Sequence, residues 1–157
     1  MRVYLETSAL IAFLFGELSD SRRERQAHAA AALARIRVTE GAAACVSLYT
    51  LQELLVFVRE AYPPALAAQV LRLALRVLWQ YPVELLPLLD RMDTLRYSRT
   101  VRIPDRSDLP HAASALKHGC NALLTYDSHF ASVAGVRVLS PEEFVASLSE
   151  TRTKETP

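Results

Sequence analysis

The sequence predicts an α/β fold built on an open, mostly parallel sheet of four to five strands, and two observations carry that expectation. Short apolar runs of strand length alternate with longer runs of helical periodicity along the 157 residues, the pattern of a parallel sheet covered by helices. The stretch Asp108 to Phe130, DLPHAASALKHGCNALLTYDSHF, is one complete unit of that pattern. Asp108 reads as a helix N-cap with Pro110 in the first turn, Gly119 stops the helix, Ala122 to Thr125 is a buried strand, and Asp127 follows at once. A helix runs antiparallel to the strand it feeds, so its start and the strand's end share one edge of the sheet. Asp108 and Asp127 are therefore expected to be neighbours.

The remaining elements follow in order. Val3 to Leu5 is the first strand and Ser8 to Phe15 the first helix. Leu18 to Asp20 is a turn, after which Asp20 or Ser21 caps an Ala-rich helix running to about Val38, with Arg22, Arg23, Glu24 and Arg25 on its exposed face. Thr39 to Ala43, holding Gly41, breaks the chain before a second strand, Ala44 to Ser47. The helix Leu48 to Tyr62 is apolar on nearly every side, with Leu48, Leu51, Leu54, Leu55 and Val58 aligned. Pro63 and Pro64 end it and begin another, Ala65 to Tyr81, paired with it as a helical hairpin. Val83 to Leu88 is a third strand, Leu89 to about Thr100 a helix, and Pro104 to Ser107 a polar loop. Beyond Asp127 come a loop, Ser128 to Gly135, a last strand, Val136 to Leu139, and a helix begun by a capping box of Ser140, Pro141 and Glu143 and ending near Leu148. This gives one domain over residues 1–148 and a polar, unpatterned tail over 149–157, expected to be disordered.

Composition narrows the function classes. With 51% hydrophobic and 22% charged residues the chain suits one sizeable core. A net charge of +1 and a pI near 7.8 give no global argument for nucleic acid, so that argument rests on local clustering. Arg91, Arg96, Arg99, Arg102 and Arg106 crowd the segment leading to Asp108, and beside an acidic metal site their guanidinium forks would suit phosphate. Cys45 and Cys120 stand apart in apolar contexts, as buried free thiols of a reducing compartment do. No apolar run approaches the roughly 18 residues of a membrane span, and no basic region followed by a signal-type apolar core opens the chain, so a cytoplasmic location is expected. Only 4 glycines leave little for a nucleotide-cradling loop, and there is no G-x-S-x-G elbow.

Two more acids fall at the edge that holds Asp108 and Asp127. Glu6 ends the first strand, and Glu53 stands near the start of the helix after the second; clefts in open parallel sheets form outside the carboxyl ends of the strands. Four gathered carboxylates raise one another's pKa values unless a cation offsets them. The set lacks the His and Cys ligands of a typical zinc site and suits Mg²⁺ or Mn²⁺. Such a centre activates water and stabilises charge developing on a phosphodiester, which points to nuclease chemistry. Asp105, His111 and His129 lie close by: Asp105 could contribute in the cleft and either histidine could assist proton transfer, against ordinary readings as a loop acid, a helix-start residue and a turn residue. Phosphotransfer on a nucleophilic Asp, as in haloacid dehalogenases or receivers, needs an Asp after the first strand, where this chain has Glu-Thr-Ser.

The motifs L-E-T-S-A-L-I at 5–11, T-L-Q-E-L-L around Glu53, D-L-P-H-A-A-S-A from Asp108 and L-L-T-Y-D-S-H-F ending at Phe130 together resemble the PIN domain, especially VapC-type ribonuclease toxins, over roughly residues 2–145. The resemblance implies a three-layer α/β/α fold, a metal-dependent endoribonuclease, a homodimer and an antitoxin partner. It assigns catalysis and metal binding to Glu6, Glu53, Asp108 and Asp127, hydrogen-bonding support to Thr7, Ser8 and Thr125, and makes Arg99, Arg102 and Arg106 candidate RNA contacts. Two positions depart from the family pattern: Glu6 stands where Asp is usual, and His129 where a further acid often follows. The competing expectation is a non-catalytic PIN-like module that binds RNA or protein through a relaxed site.

Overall fold

The computed structural model describes residues 1–16 and 20–153. Its elements are β1 (Arg2–Leu5), α1 (Thr7–Phe15), α2 (Asp20–Val38), β2 (Ala43–Ser47), α3 (Leu48–Ala61), α4 (Pro64–Leu78), β3 (Val83–Leu86), α5 (Arg91–Thr100), α6 (Leu109–Lys117), β4 (Ala122–Leu124), β5 (Arg137–Leu139) and α7 (Pro141–Thr153). The sheet order is β3-β2-β1-β4-β5, and every pairing is parallel. Each parallel return needs a crossover of about a dozen residues or more, and the helices supply most of them.

Alternation along the strands assigns the two faces. Val3, Leu5, Ala44, Val46, Ala122 and Leu124 point to one core, with Leu10 of α1, Leu33 of α2, Leu54 of α3, Leu78 of α4 and Phe144 of α7. Tyr4, Cys45 and Leu123 point the other way, onto Ala112 and Ala115 of α6 and onto Phe130. The sheet is thus sandwiched between two helical layers, the expected three-layer α/β/α arrangement. Gly119, at φ 64, ends α6; the Cys120 N–H reaches back to the Ala115 carbonyl at 2.9 Å, the longer bond of a Schellman ending.

Several boundaries differ from the expectation. The helix read to Tyr81 stops at Leu78, and the strand read to Leu88 stops at Leu86, because Pro87 cannot donate to the ladder. The next helix starts at Arg91 rather than Leu89, since Asp90 and Asp93 form a capping box. Of the apolar face read on α3, Leu54 and Val58 are buried, while Leu48 and Leu55 are exposed. The loop after Asp127 contains a 3₁₀ turn, Ser128–Ser132, that buries Phe130. Helix α7 extends past Leu148 to Thr153, so residues 149–153 of the expected tail are helical and 154–157 lie outside the described residues. The turn read at Leu18 to Asp20 also lies outside them, except that α2 begins at Asp20; the side chains of Asp20, Ser21 and Arg22 are likewise outside. Arg25 is not simply solvated: its guanidinium sits 5.0 Å over the Tyr126 ring, whose hydroxyl donates to the Arg25 carbonyl at 3.0 Å.

Candidate active site

Strand β1 pairs with β2 on one side and β4 on the other, so the order of connection reverses at β1/β4 and a crevice opens beyond their carboxyl ends. Glu6 leaves β1 there, its N–H donating to the Leu124 carbonyl at 3.0 Å. It is the N-cap of α1, and its Oε2 accepts from the Ser8 N–H at 2.9 Å, from the Ser8 hydroxyl at 2.5 Å and from the Thr125 hydroxyl at 2.8 Å. The same two hydroxyls accept from the next loop, Ser8 from the Tyr126 N–H and Thr125 from the Asp127 N–H, each at 2.9 Å. A buried carboxylate with three donors thus pins the exits of β1 and β4 together, on the scale of charge-assisted bonds.

Glu53 reaches the edge from α3. Its carboxylate accepts from the Thr7 hydroxyl and lies 3.1 Å from His111 Nε2, while its side chain is 46% exposed. Partial burial opposes its ionisation, but the hydrogen bonds from His111 and Thr7 prevail and hold the carboxyl below its ordinary value.

Asp108 departs from its expected local role. It stands at the N-cap of α6 with a helical backbone, φ −80 and ψ −15, and its side chain makes no capping bond. The carboxylate turns instead to His129 Nδ1, 3.2 Å away, and is 17% exposed. Burial raises its pKa; His129 opposes this, and the charges of Asp127, Asp105 and Glu6 add to it, leaving the carboxyl above its ordinary value. Asp127 accepts from the His129 N–H at 2.8 Å and lies 3.5 Å from the same imidazole nitrogen.

Among the described residues, metal-ligating atoms within 4.8 Å of one another form two groups, Glu6 with Glu53 and His111, and Asp105 with Asp108 and His129. The four expected acids share the edge but are divided between these groups, with Asp127 joined to the second through His129. Carboxylate oxygens dominate both sets, and Asp108 is held where ionisation is unfavourable without a positive partner. That chemistry fits a hard divalent cation. The Asp105 carboxylate also accepts from the Ser107 N–H and hydroxyl, both at 2.8 Å.

Arg99, Arg102 and Arg106 line one open depression with Val101, Ile103 and Ser132. The Ser132 hydroxyl donates to the Arg102 carbonyl at 2.8 Å, tying this rim to the turn that follows Asp127. Arg91 and Arg96 do not line the depression; Arg96 lies 5.9 Å over its neighbour Tyr97.

The sequence reading missed one part of the site. Tyr4, fully buried in β1, places its hydroxyl 2.9 Å from His111 Nδ1, 2.7 Å from Ser47 Oγ and 3.2 Å from Thr50 Oγ1. Burial pushes its phenol well above the ordinary range despite the hydrogen bonds from Ser47 and Thr50. The available signal was a Tyr inside a three-residue apolar strand and a His on the apolar side of an Ala-rich helix.

The PIN domain family model matches residues 3–136, a span that takes in all four acids. The chain belongs to the PIN domain family. Its fold is similar to that of several solved structures: VapBC-1 from nontypeable Haemophilus influenzae, at a TM-score of 0.63 and 15% identity over 90% of this chain and 98% of that one; VapBC2 from Rickettsia felis, solved on a DNA fragment of its promoter, at 0.62 and 16% over 89% and 98%; and VapC20 from Mycobacterium tuberculosis, described as a sarcin-ricin loop cleaving toxin, at 0.57 and 18% over 86% and 98%. No curated protein matches the sequence. In this PIN domain no helix of the described residues is long and apolar enough to cross a membrane.

Proposed function

We propose that this PIN domain is a metal-dependent endoribonuclease, the toxin of a toxin-antitoxin pair acting in the cytoplasm. The observation that carries the reading is Asp108, which forgoes a helix cap and lies partly buried against His129, with the charges of Asp127, Asp105 and Glu6 adding to the burial that raises its pKa. Such an arrangement costs stability unless a cation joins it. Glu6, Asp108 and Asp127 would hold Mg²⁺ or Mn²⁺, and Glu53 would ligate it or orient the attacking water. When bound, the ion supplies an activated water and offsets charge on the phosphodiester. Ser8 and Thr125 orient Glu6, Thr7 orients Glu53, and Arg99, Arg102 and Arg106 would meet RNA phosphates. The relation to VapBC assemblies supports an antitoxin partner and a homodimer, and the two buried free thiols suit a reducing compartment.

The test is cleavage of a mixed RNA pool by partner-free protein with Mn²⁺, with Mg²⁺ and with chelator, beside Asp108→Asn. Metal-dependent cutting that the variant loses while remaining folded is the expected outcome; equal cutting by both proteins would sink the proposal. One observation favours the alternative of a non-catalytic RNA- or protein-binding module: Glu6, longer than the usual Asp, has Oε2 taken up by three internal donors. RNA binding without cleavage under any divalent metal is the outcome that reading requires.

A further inference from the structure

His111 is 1% exposed, yet its imidazole is spent on neither helix capping nor solvent. It lies between two groups from different elements, Tyr4 of β1 at Nδ1 and Glu53 of α3 at Nε2, 2.9 and 3.1 Å away. Three rings surround it edge-on, Tyr4, Tyr49 and Phe130, with centroids 6.0 to 6.5 Å distant, which leaves the imidazole little room to turn. Donor and acceptor inventory fixes the direction of the chain. An ionised carboxylate can only accept, so a hydrogen on Nε2 faces Glu53, and in that singly protonated tautomer Nδ1 accepts and calls for a donor. The Tyr4 hydroxyl is that donor, and it can accept in turn from Ser47, whose oxygen receives the Thr50 N–H at 3.3 Å. Protons therefore point one way, from Ser47 through Tyr4 and His111 to Glu53, with the Thr7 hydroxyl donating from the other side.

We propose that His111 is a positioning residue: its Nε2–H, with the tautomer set by the Tyr4 hydroxyl, fixes the Glu53 carboxylate in the active site. The inference rests on the ribonuclease reading above and goes beyond it by naming a residue outside the acidic quartet. Glu53 is half exposed on a helix face and would otherwise sample several rotamers. Two donors, His111 and Thr7, restrict it to the orientation it must present to the ion or the water. Groups that orient metal-site carboxylates in this way typically contribute 10- to 100-fold in activity or metal affinity.

The test combines kinetics with a spectroscopic readout on the full chain. His111→Leu is expected to lower kcat for metal-dependent RNA cleavage about 10- to 100-fold with KM little changed. His111→Gln, which can place an N–H where Nε2 lies, restores most of the loss. In a Glu53→Gln background His111→Leu has no further effect, as coupling through Glu53 requires. Imidazole ¹⁵N spectra of the wild type show the hydrogen on Nε2, and Tyr4→Phe disturbs the Nδ1 signal. The proposal is overturned if folded His111→Leu cleaves like wild type, if Leu and Gln variants are equally impaired, or if Nε2 proves to carry no hydrogen. Should His111→Leu not fold, the His111→Gln rate and the spectra of wild type and Tyr4→Phe decide. A wild-type protein that cuts no RNA overturns the ribonuclease reading alone; the tautomer and the Mn²⁺ affinities of wild type and His111→Gln then decide on His111.

Discussion

Glu6 and Glu53 stand among donors supplied by Thr7, Ser8, His111 and Thr125, whereas Asp108 and Asp127 face one another across the single imidazole of His129. The first pair is organised by the fold itself. Its hydrogen bonds stitch β1, β4 and α3 together, so these carboxylates are oriented whether or not an ion is present. The second pair lies nearer the loops, has few donors, and includes a carboxyl whose ionisation is disfavoured by burial and like charge. The contrast teaches that one half of the edge is a preorganised, donor-rich platform while the other is left with few donors for its charge.

The strongest way to break this comparison is with the metal. At a Mn²⁺ concentration of 100 times Kd the wild type should gain about 2.7 kcal/mol in unfolding free energy over chelator, and Asp108→Asn should lose most of that gain. Urea unfolding with and without Mn²⁺ measures it, and an undiminished gain in the variant would mean that the outer pair does not depend on the ion. Next in size is the cost of disturbing the platform. Glu6→Ala in chelator should destabilise by about 1–3 kcal/mol, since the Ser8 and Thr125 donors lose their acceptor, while Asp108→Ala should change stability by no more than about 0.5 kcal/mol. Similar losses for the two would erase the distinction.

A smaller effect concerns the basic rim. Substituting Arg99, Arg102 or Arg106 by Ala should reduce the log–log salt slope of single-stranded RNA binding by about 0.7 for each phosphate that the side chain neutralises. Fluorescence anisotropy at several salt concentrations checks this, and an unchanged slope would remove the rim from the RNA path. The finest effect is the pH dependence without metal. The Asp108 pKa is raised, so its favourable contribution is complete below its ordinary 3.8 and is lost as pH rises through the folded value. The Glu53 pKa is lowered, so its contribution is present above its ordinary 4.5 and is lost as pH falls through the folded value. Asp108→Asn should therefore lessen the decline in stability toward neutral pH, and Glu53→Gln the decline on the acid side. Urea midpoints from about pH 3 to pH 7 would register the two changes with opposite sign.

Much of the fold was legible because its signals are local. Apolar runs of strand length, Gly119 at a positive φ and the prolines between α3 and α4 act within a few residues, and alternation of strand with helix implies a parallel sheet. The placement of Glu6 and Asp127 at strand ends, and of Asp108 opposite them, follows from the same alternation. Errors fell where a local signal was overlooked, as with Pro87 and the Asp90 capping box, or where no local signal existed. Nothing around Arg25 in the sequence predicts its seat on Tyr126.

The sequence by itself determined the α/β class, the order of elements and the edge at which the four acids meet, because periodicity, caps and chain direction are properties of neighbouring residues. Tertiary structure alone decided that Asp108 abandons its cap, that the acids divide between a donor-rich and a donor-poor half, and that His111 is clasped between Tyr4 and Glu53. Those outcomes depend on which strand lies beside which and on how deeply each group is buried. Hydrogen bonds between residues 46 to 119 positions apart exist only once the sheet has closed around β1.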